Sequence, residues 1–78
     1  MQQNNDIVYG IHATLELIKT QPHLIKTLFI VANRDDARLT DLQKLAAQFN
    51  ISVQMTRREK LDKLAHSHHH QGVVAICQ

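Results

Sequence analysis

Basic side chains form two groups in this sequence, and each group follows a stretch that predicts a β-strand. Arg34 and Arg38 come after the apolar run of residues 28–31, and Arg57 and Arg58 come after a second strand-like stretch. Arginine and lysine side chains bind the phosphates of nucleic acids. Both groups would line one face of the protein if the two strands run parallel. The simpler alternative is that these charges only form a solvated surface.

A short helix is predicted directly after the second basic group, and Lys60 and Lys63 extend the positive charge along it. Thr56 and Glu59 have the spacing of a capping box, so we expect Thr56 to be the N-cap residue of this helix. Cations at a helix N-terminus oppose the helix dipole, which costs about a few tenths of a kcal/mol. A bound anion would offset that cost.

A glycine and a histidine stand at the first predicted strand-to-helix junction, in the sequence Tyr9-Gly10-Ile11-His12. The free N–H groups at the start of a helix, together with His12, can bind a phosphate. In the alternative interpretation, Gly10 only allows a tight turn and His12 is an ordinary surface residue.

Histidines are concentrated in the sequence His66-Ser67-His68-His69-His70, which precedes the last predicted strand. A structural zinc site needs convergent ligands, usually with cysteine, and the chain has a single cysteine. Histidines that are neighbours in sequence point in different directions. We therefore predict a solvated loop here and no physiological metal site.

No set of residues typical of catalysis is present. The chain has two glycines and contains no P-loop, no G-x-S-x-G sequence and no G-x-G-x-x-G sequence. The lone Cys77 has no positioned partner in the sequence pattern that would activate it as a nucleophile. We therefore assign no catalytic residue and no cofactor site to this chain.

The composition describes one small domain. Its 78 residues carry a formal charge of +2 and include six histidines, which permits nucleic-acid binding without demanding it. With three aromatic residues and no tryptophan, the chain has little material for stacking bases on a sheet. A single cysteine fits a reducing compartment, and neither a signal peptide nor an apolar span of about 20 residues is visible. We therefore expect a cytoplasmic protein without a membrane partner.

Apolar patterning predicts alternating strands and helices. The run of residues 28–31, which includes Phe29, suits a central strand that is buried on both faces. Asp35 or Asp36 is expected to cap the next helix, and Asn50 to end it in the left-handed conformation. This alternation predicts one sheet with helices packed on it, and functional residues tend to gather where strands end. The predicted strands are residues 7–9, 24–32, 51–55 and 73–77, and the predicted helices are residues 11–20, 37–50 and 57–65.

Three ordered motifs together resemble one protein family. The motifs are Ile7-Val8-Tyr9-Gly10-Ile11-His12-Ala13, Asn33-Arg34-Asp35-Asp36-Ala37-Arg38-Leu39 and His70-Gln71-Gly72-Val73-Val74-Ala75. The sequence is similar to the N-terminal substrate-binding domain of SpoU-type rRNA ribose 2′-O-methyltransferases over residues 7–78. This resemblance implies an L30e-like α/β fold with three layers, α/β/α, and a mixed four-stranded sheet. Residues 1–6 are expected to form a flexible N-terminus.

The resemblance implies an RNA-binding domain that positions 23S rRNA for ribose 2′-O-methylation. The methylation itself would need an attached catalytic domain of the knotted SPOUT type, which binds S-adenosylmethionine and dimerises in the family. None of the motifs of that domain occurs here, so this domain is expected to be non-catalytic, without a cofactor of its own, and monomeric in isolation. The residues expected to bind RNA are Gly10, His12, Asn33, Arg34, Arg38, Arg57, Arg58, His70, Gln71 and Gly72.

Two functions from different classes are compatible with the sequence. An RNA-recognition module would bind mainly through arginine and lysine to phosphate, with loop contacts to unpaired bases. A non-catalytic protein-interaction or structural module would instead use a sheet edge or a helix face for assembly. A steep fall of RNA affinity with salt would distinguish the first from the second, because phosphate contacts release counterions.

Overall fold

Four strands and three α-helices alternate along the part of the chain that the computed structural model describes, residues 6–78. The flexible N-terminus expected at residues 1–6 lies outside the described residues except for Asp6, which is the first residue of the first strand. A 3-10 turn at Pro22–Leu24 separates the first helix from the second strand. The elements are β1 (Asp6–Tyr9), α1 (Ile11–Thr20), β2 (Ile25–Val31), α2 (Ala37–Gln48), β3 (Val53–Thr56), α3 (Arg58–Ala65) and β4 (Val73–Cys77).

The sheet is mixed and four-stranded, as the resemblance implied, with the strand order β1-β4-β2-β3. β2 and β3 are parallel, and β4 is antiparallel to both of its neighbours, β1 and β2. The strands β1, β2 and β3 therefore run in one direction, and their carboxyl ends lie together with the start of β4. We call this end of the sheet the loop end. It comprises Gly10 and residues 32–36, 56–57 and 70–72.

The helices cover the sheet in the predicted three-layer arrangement. α1 and α2 pack against each other, α1 also contacts β1 and β4, and α2 contacts β3. α3 packs on β1, β2 and β4. Each helix begins at or near the loop end, because each follows one of the three parallel strands. The N-terminal turns of all three helices are therefore available to line one surface.

The central position of β2 is confirmed, because this strand pairs with β3 on one side and β4 on the other. Leu28 and Ile30 are 0% and 1% exposed. Lys26 is exposed, however, and Phe29 is only partly buried, with the Lys60 Nζ atom 4.8 Å from the centre of its ring. The expectation that the whole run is buried is therefore met at Leu28, Ile30 and Val31 but not at Phe29.

This difference in burial predicts different costs of truncation within β2. Leu28→Ala should lower the free energy of unfolding by about 2–5 kcal/mol, because the lost side chain leaves a cavity in a closed core. Phe29→Ala should cost less, about 1–3 kcal/mol, because part of its ring is already in contact with solvent. Urea denaturation of both variants measures the two values. A larger loss in Phe29→Ala than in Leu28→Ala would contradict this ranking of the two sites by burial.

The ends of α2 confirm the capping predictions. Of the two candidate N-cap residues, Asp36 fills the position, and its Oδ1 atom accepts a hydrogen bond from the Arg38 N–H at 2.9 Å. Asn50 follows the helix in the left-handed conformation, with φ of 59°. Asparagine adopts this conformation at lower cost than most residues, which is why the sequence correctly predicted Asn50 at this position.

The N-terminus of α3 differs from the prediction. Thr56 is the last residue of β3, where its carbonyl oxygen accepts a hydrogen bond from the Ala32 N–H at 2.7 Å. The N-cap residue is Arg57, and no side chain in the described part of the chain caps the helix. The predicted capping box is wrong because strand pairing with Val31 extends β3 through Thr56, and the helix begins one residue later than expected, at Arg58.

Met55 and Phe49 are the most exposed of the large apolar side chains within residues 6–78. Met55 in β3 is 49% exposed, and Phe49, which follows the last turn of α2, is 45% exposed. β3 lies at the edge of the sheet and is shorter than predicted, since it begins at Val53 rather than at Ile51. Met55 therefore stands near the loop end and Phe49 near the opposite end of the sheet.

Candidate functional site

Gln71 joins three segments that are far apart in sequence. Its side-chain Oε1 atom accepts a hydrogen bond from the Ile11 N–H at 2.8 Å, and its carbonyl oxygen accepts one from Arg34 Nη1 at 3.2 Å. The N-cap residue of α1 is Gly10, which has no side chain to cap the helix, and Gln71 supplies that acceptor from 60 residues away. The three motifs singled out in the sequence therefore meet at one residue, Gln71, through its side chain and its backbone carbonyl.

Glycine is required at position 72 by both conformation and space. Its φ is +89°, and a Cβ atom there would lie 2.8 Å from Val31 Cγ1 and 2.7 Å from Arg34 Nη1. Gly10 also has a positive φ, +95°, and a Cβ atom there would lie 3.2 Å from Gln71 Oε1. Gln71 itself is left-handed, with φ of 56°. Left-handed residues other than glycine cost free energy and are concentrated at functional sites.

His70 is buried, with 1% of its surface exposed, so it supports the loop end from inside. Its Nδ1 atom accepts a hydrogen bond from the Gly72 N–H at 3.0 Å, which places the ring proton on Nε2. Nε2 in turn faces Asp62 Oδ1 at 2.6 Å and donates to it. The predicted direct contact of His70 with RNA is therefore corrected, because a side chain enclosed in this way fixes the Gln71–Gly72 turn instead.

Asp62 is a residue that the sequence interpretation missed. Its second oxygen, Oδ2, lies 3.0 Å from Nδ1 of the exposed His68, so the carboxylate holds two histidines of the run. No local pattern links a residue within α3 to a histidine eight positions later, beyond the helix end. His69 is exposed, and its N–H donates to the Ser67 hydroxyl. Across the part of the chain that the structure describes, no three His, Cys, Asp or Glu side chains are placed to hold a metal ion.

The contacts of Asp62 predict a pH effect on stability. The hydrogen bond from His70, and then that from His68, holds the pKa of Asp62 below its ordinary value of 3.8. Because the folded pKa is depressed, the stabilisation is complete above the unfolded pKa and is lost as the pH falls through the folded value. Denaturant midpoints measured between about pH 3 and pH 7 should therefore fall less steeply at the acidic end in Asp62→Asn than in the wild type.

Asp36 provides the internal reference for that experiment. Its pKa is also lowered, mainly by the hydrogen bond from the Arg38 side chain, so it adds an acidic loss that is common to both proteins. Equal acidic slopes in the wild type and Asp62→Asn would show that the histidine contacts of Asp62 contribute nothing to folding.

The two arginines after β2 have different surroundings. Arg38 is paired with Asp36, through Nη2 to Oδ2 at 3.2 Å and Nε to Oδ1 at 3.3 Å, so its charge is already partly neutralised. Arg34 is exposed and forms no ion pair within residues 6–78; its one hydrogen bond, to Gln71, goes to a neutral carbonyl. Of these two arginines, Arg34 is therefore the one whose charge is not already paired with a carboxylate within residues 6–78 and can pair with an anionic ligand.

A basic groove of about 890 Å³ opens between the loop end and α3. It contains two of the predicted residues, Asn33 and Arg57. Arg58 is exposed at the start of α3 but does not line the groove, and His12 is exposed in the first turn of α1. We define the basic groove by six of the residues that line it, Asn33, Met55, Arg57, Glu59, Lys60 and Lys63.

The parallel pairing of β2 and β3 places both basic groups at the loop end, as the sequence interpretation required. Arg34 stands at the carboxyl end of β2 and Arg57 at the carboxyl end of β3. The fold defines a small α/β domain. Arginine and lysine side chains at and beside its loop end outnumber the acidic ones, which include Asp35 and Asp36, and this balance suits a polyanion. Within residues 6–78, no helix is long and apolar enough to cross a membrane.

A family model described as RNA 2′-O ribose methyltransferase substrate binding matches residues 7–78. The chain belongs to this family, which confirms the resemblance drawn from its three motifs. The match starts one residue after the beginning of β1 and covers all the later elements.

Curated relatives agree with the family. The chain is 44% identical over 73 residues to the 23S rRNA (guanosine-2′-O-)-methyltransferase RlmB of Shewanella oneidensis, covering 94% of this chain and 30% of the relative. It is 46% identical over 67 residues to the RlmB of Acinetobacter baylyi, covering 86% of this chain and 27% of the relative. The chain thus spans less than a third of the length of these relatives.

A solved structure shares the fold. It is a protein of unknown function from Bacillus halodurans C, with a TM-score of 0.73 and 11% sequence identity, and the similarity covers 92% of this chain and 71% of the other. At that identity the similarity concerns the fold alone.

Proposed function

We propose that this chain binds 23S rRNA and positions it for ribose 2′-O-methylation by an S-adenosylmethionine-dependent catalytic domain in the same polypeptide. The observation that carries the proposal is the convergence of three separate motifs and both basic groups at the loop end. Membership of the substrate-binding family supports the proposal that the ligand is RNA. The RlmB relatives, whose name specifies 23S rRNA, support the proposal that this RNA is 23S rRNA.

The affinity would come mainly from cations that form no ion pair within the described chain. Arg34 and the groove cations Arg57, Lys60 and Lys63 form no ion pair within residues 6–78. Each phosphate that they neutralise releases a counterion, so binding weakens as salt rises. Positions with hydrogen-bonding side chains, Asn33 among them, would contact unpaired bases in a loop and supply specificity.

The glycines and Gln71 have a different role in the proposal. Gly10 and Gly72 bring the backbone close together, and Gln71 ties α1 to the turn before β4. The proposed RNA-binding residues are the predicted set with His70 moved to a supporting position. They are Gly10, His12, Asn33, Arg34, Arg38, Arg57, Arg58, Gln71 and Gly72.

The remaining parts of the proposal concern the protein as a whole. S-adenosylmethionine would bind in the catalytic domain, and the substrate-binding domain would need no cofactor of its own. The isolated domain would be a monomer and the whole protein cytoplasmic. Sedimentation of residues 1–78 at micromolar concentration tests whether the isolated domain is a monomer, since a tight dimer would contradict it.

Binding of a 23S rRNA hairpin across a salt series tests the function. If about three or four phosphates are contacted, the logarithm of the binding constant should fall with the logarithm of salt concentration with a slope of about −3. A protein-interaction or structural module would show no RNA affinity above that of a neutral protein, and that result would reject the proposal. A duplex DNA of matched length controls for attraction between any polyanion and a protein of net charge +2.

A further inference from the structure

The basic groove combines an apolar surface with a positively charged rim. Its apolar part includes Met55, which is 49% exposed, and its rim carries the side chains of Arg57, Lys60 and Lys63. A volume of about 890 Å³ falls within the ~300–1,000 Å³ range of sites that hold small organic molecules. The groove is therefore large enough for one nucleotide.

The cations of the groove form no ion pair within residues 6–78, although Lys60 also lies over the ring of Phe29. Glu59 also lines it, yet no ion pair forms between Glu59 and a lysine or arginine within residues 6–78. Three cations thus face one carboxylate. Within the described residues, the N-terminus of α3 beside them has no side-chain cap, so backbone N–H groups at the same place also lack a side-chain acceptor. An anionic group would be stabilised there.

The groove is also lined by the side-chain amide of Asn33. Asn33 is held in the left-handed conformation, with φ of 62°, directly after β2. Its side chain forms no hydrogen bond in the part of the chain that the structure describes, so its donor and acceptor remain available. An amide can pair with the donor and acceptor groups on the edge of a base.

We propose that the basic groove binds one unpaired nucleotide of the RNA, with its base against Met55 and its phosphate between Arg57, Lys60 and Lys63. The proposal rests on the proposed function and adds the chemistry of one subsite. A base within a helical stem has its faces stacked on neighbours, so only an unpaired base can lie against Met55. The polarisable thioether is flexible and forms favourable contacts with aromatic rings. The groove therefore recognises an RNA loop rather than a stem.

The test compares two RNAs and two matched variants. The RNAs are a 23S rRNA hairpin with its unpaired loop and a blunt duplex of the same stem. Met55→Ala removes the thioether side chain from the apolar part of the groove. Phe49→Ala is the control, because Phe49 is similarly exposed, at 45% against 49%, but lies near the opposite end of the sheet. Thermal melts establish that both variants fold, which their exposure predicts.

Met55→Ala should bind the hairpin about three- to tenfold more weakly than the wild type and bind the duplex equally well. Its salt slope should not change, because no charge is removed. Phe49→Ala should match the wild type on both RNAs. An unchanged hairpin affinity in Met55→Ala, or an equal loss of hairpin and duplex binding, would overturn the nucleotide subsite alone. Failure of the wild type to bind either RNA would overturn the proposed function as well.

Discussion

Gly72→Ala is expected to lower the free energy of unfolding by about 2–5 kcal/mol, which rivals the ~5 kcal/mol total of a domain of this size. An alanine at this position must adopt a φ of +89°, and its Cβ atom would lie 2.8 Å from Cγ1 of the buried Val31. Val31 is part of the core, so moving it aside would disturb its packing. The variant should therefore be largely unfolded at 37 °C, as measured by a thermal melt followed by circular dichroism.

Gly10→Ala is the matched control for this experiment. It imposes a similar positive φ of +95°, but its Cβ atom would meet only the end of a flexible side chain, Gln71 Oε1, at 3.2 Å. Its cost should be limited to the backbone strain and the shift of that amide, about 1–3 kcal/mol. A Gly72→Ala melt within a few degrees of the wild type would show that the turn before β4 adapts, and that close packing of Gly72 against Val31 is not required.

Arg34→Ala is expected to weaken binding of a 23S rRNA hairpin by about ten- to a hundredfold, the loss of one charge-assisted hydrogen bond to phosphate. It should also flatten the salt slope by about one unit. The fold should change little, because within the protein the substitution removes only an exposed hydrogen bond to the Gln71 carbonyl. Affinities are measured across a salt series, and a melt of each variant confirms folding.

Lys19→Ala is the control for Arg34→Ala, and Arg38→Ala is the comparison. Lys19→Ala removes an exposed cation from the last turn of α1, away from the loop end, and should bind like the wild type. Arg38→Ala should have a smaller effect of the same sign as Arg34→Ala, because Asp36 already neutralises part of the Arg38 charge. If Arg34→Ala binds like Lys19→Ala while a double variant of Arg57 and Arg58 loses binding, the RNA contacts lie on α3 alone.

The elements of the fold were predictable where a local pattern carries the physical cause. The apolar run around Leu28 identified the central strand, and Asp36 and Asn50 marked the ends of α2 through their own hydrogen bonding and conformational preference. The start of α3 was not predictable in this way. Thr56 and Glu59 have the spacing of a capping box, but pairing with β2 keeps Thr56 in the strand.

The sequence predicted which residues belong to the candidate site better than it predicted what each residue does there. The strand ends placed Arg34 and Arg57 at one end of the sheet, given parallel strands. The sequence could not reveal that His70 is enclosed and held by Asp62, because that contact depends on how the loop after α3 folds back. Likewise, the exposure of Met55 depends on the length of β3 and its place at the sheet edge.

Backbone chemical-shift mapping of the ¹⁵N-labelled chain with a 23S rRNA hairpin tests most directly that the loop end binds RNA. The largest changes are expected at the amides of Gly10, Asn33, Arg34 and Gln71, and they should diminish together as salt is added. Changes confined to the opposite end of the sheet, where Gln21, Asn50 and Gln78 lie, would contradict an RNA-binding surface at the loop end.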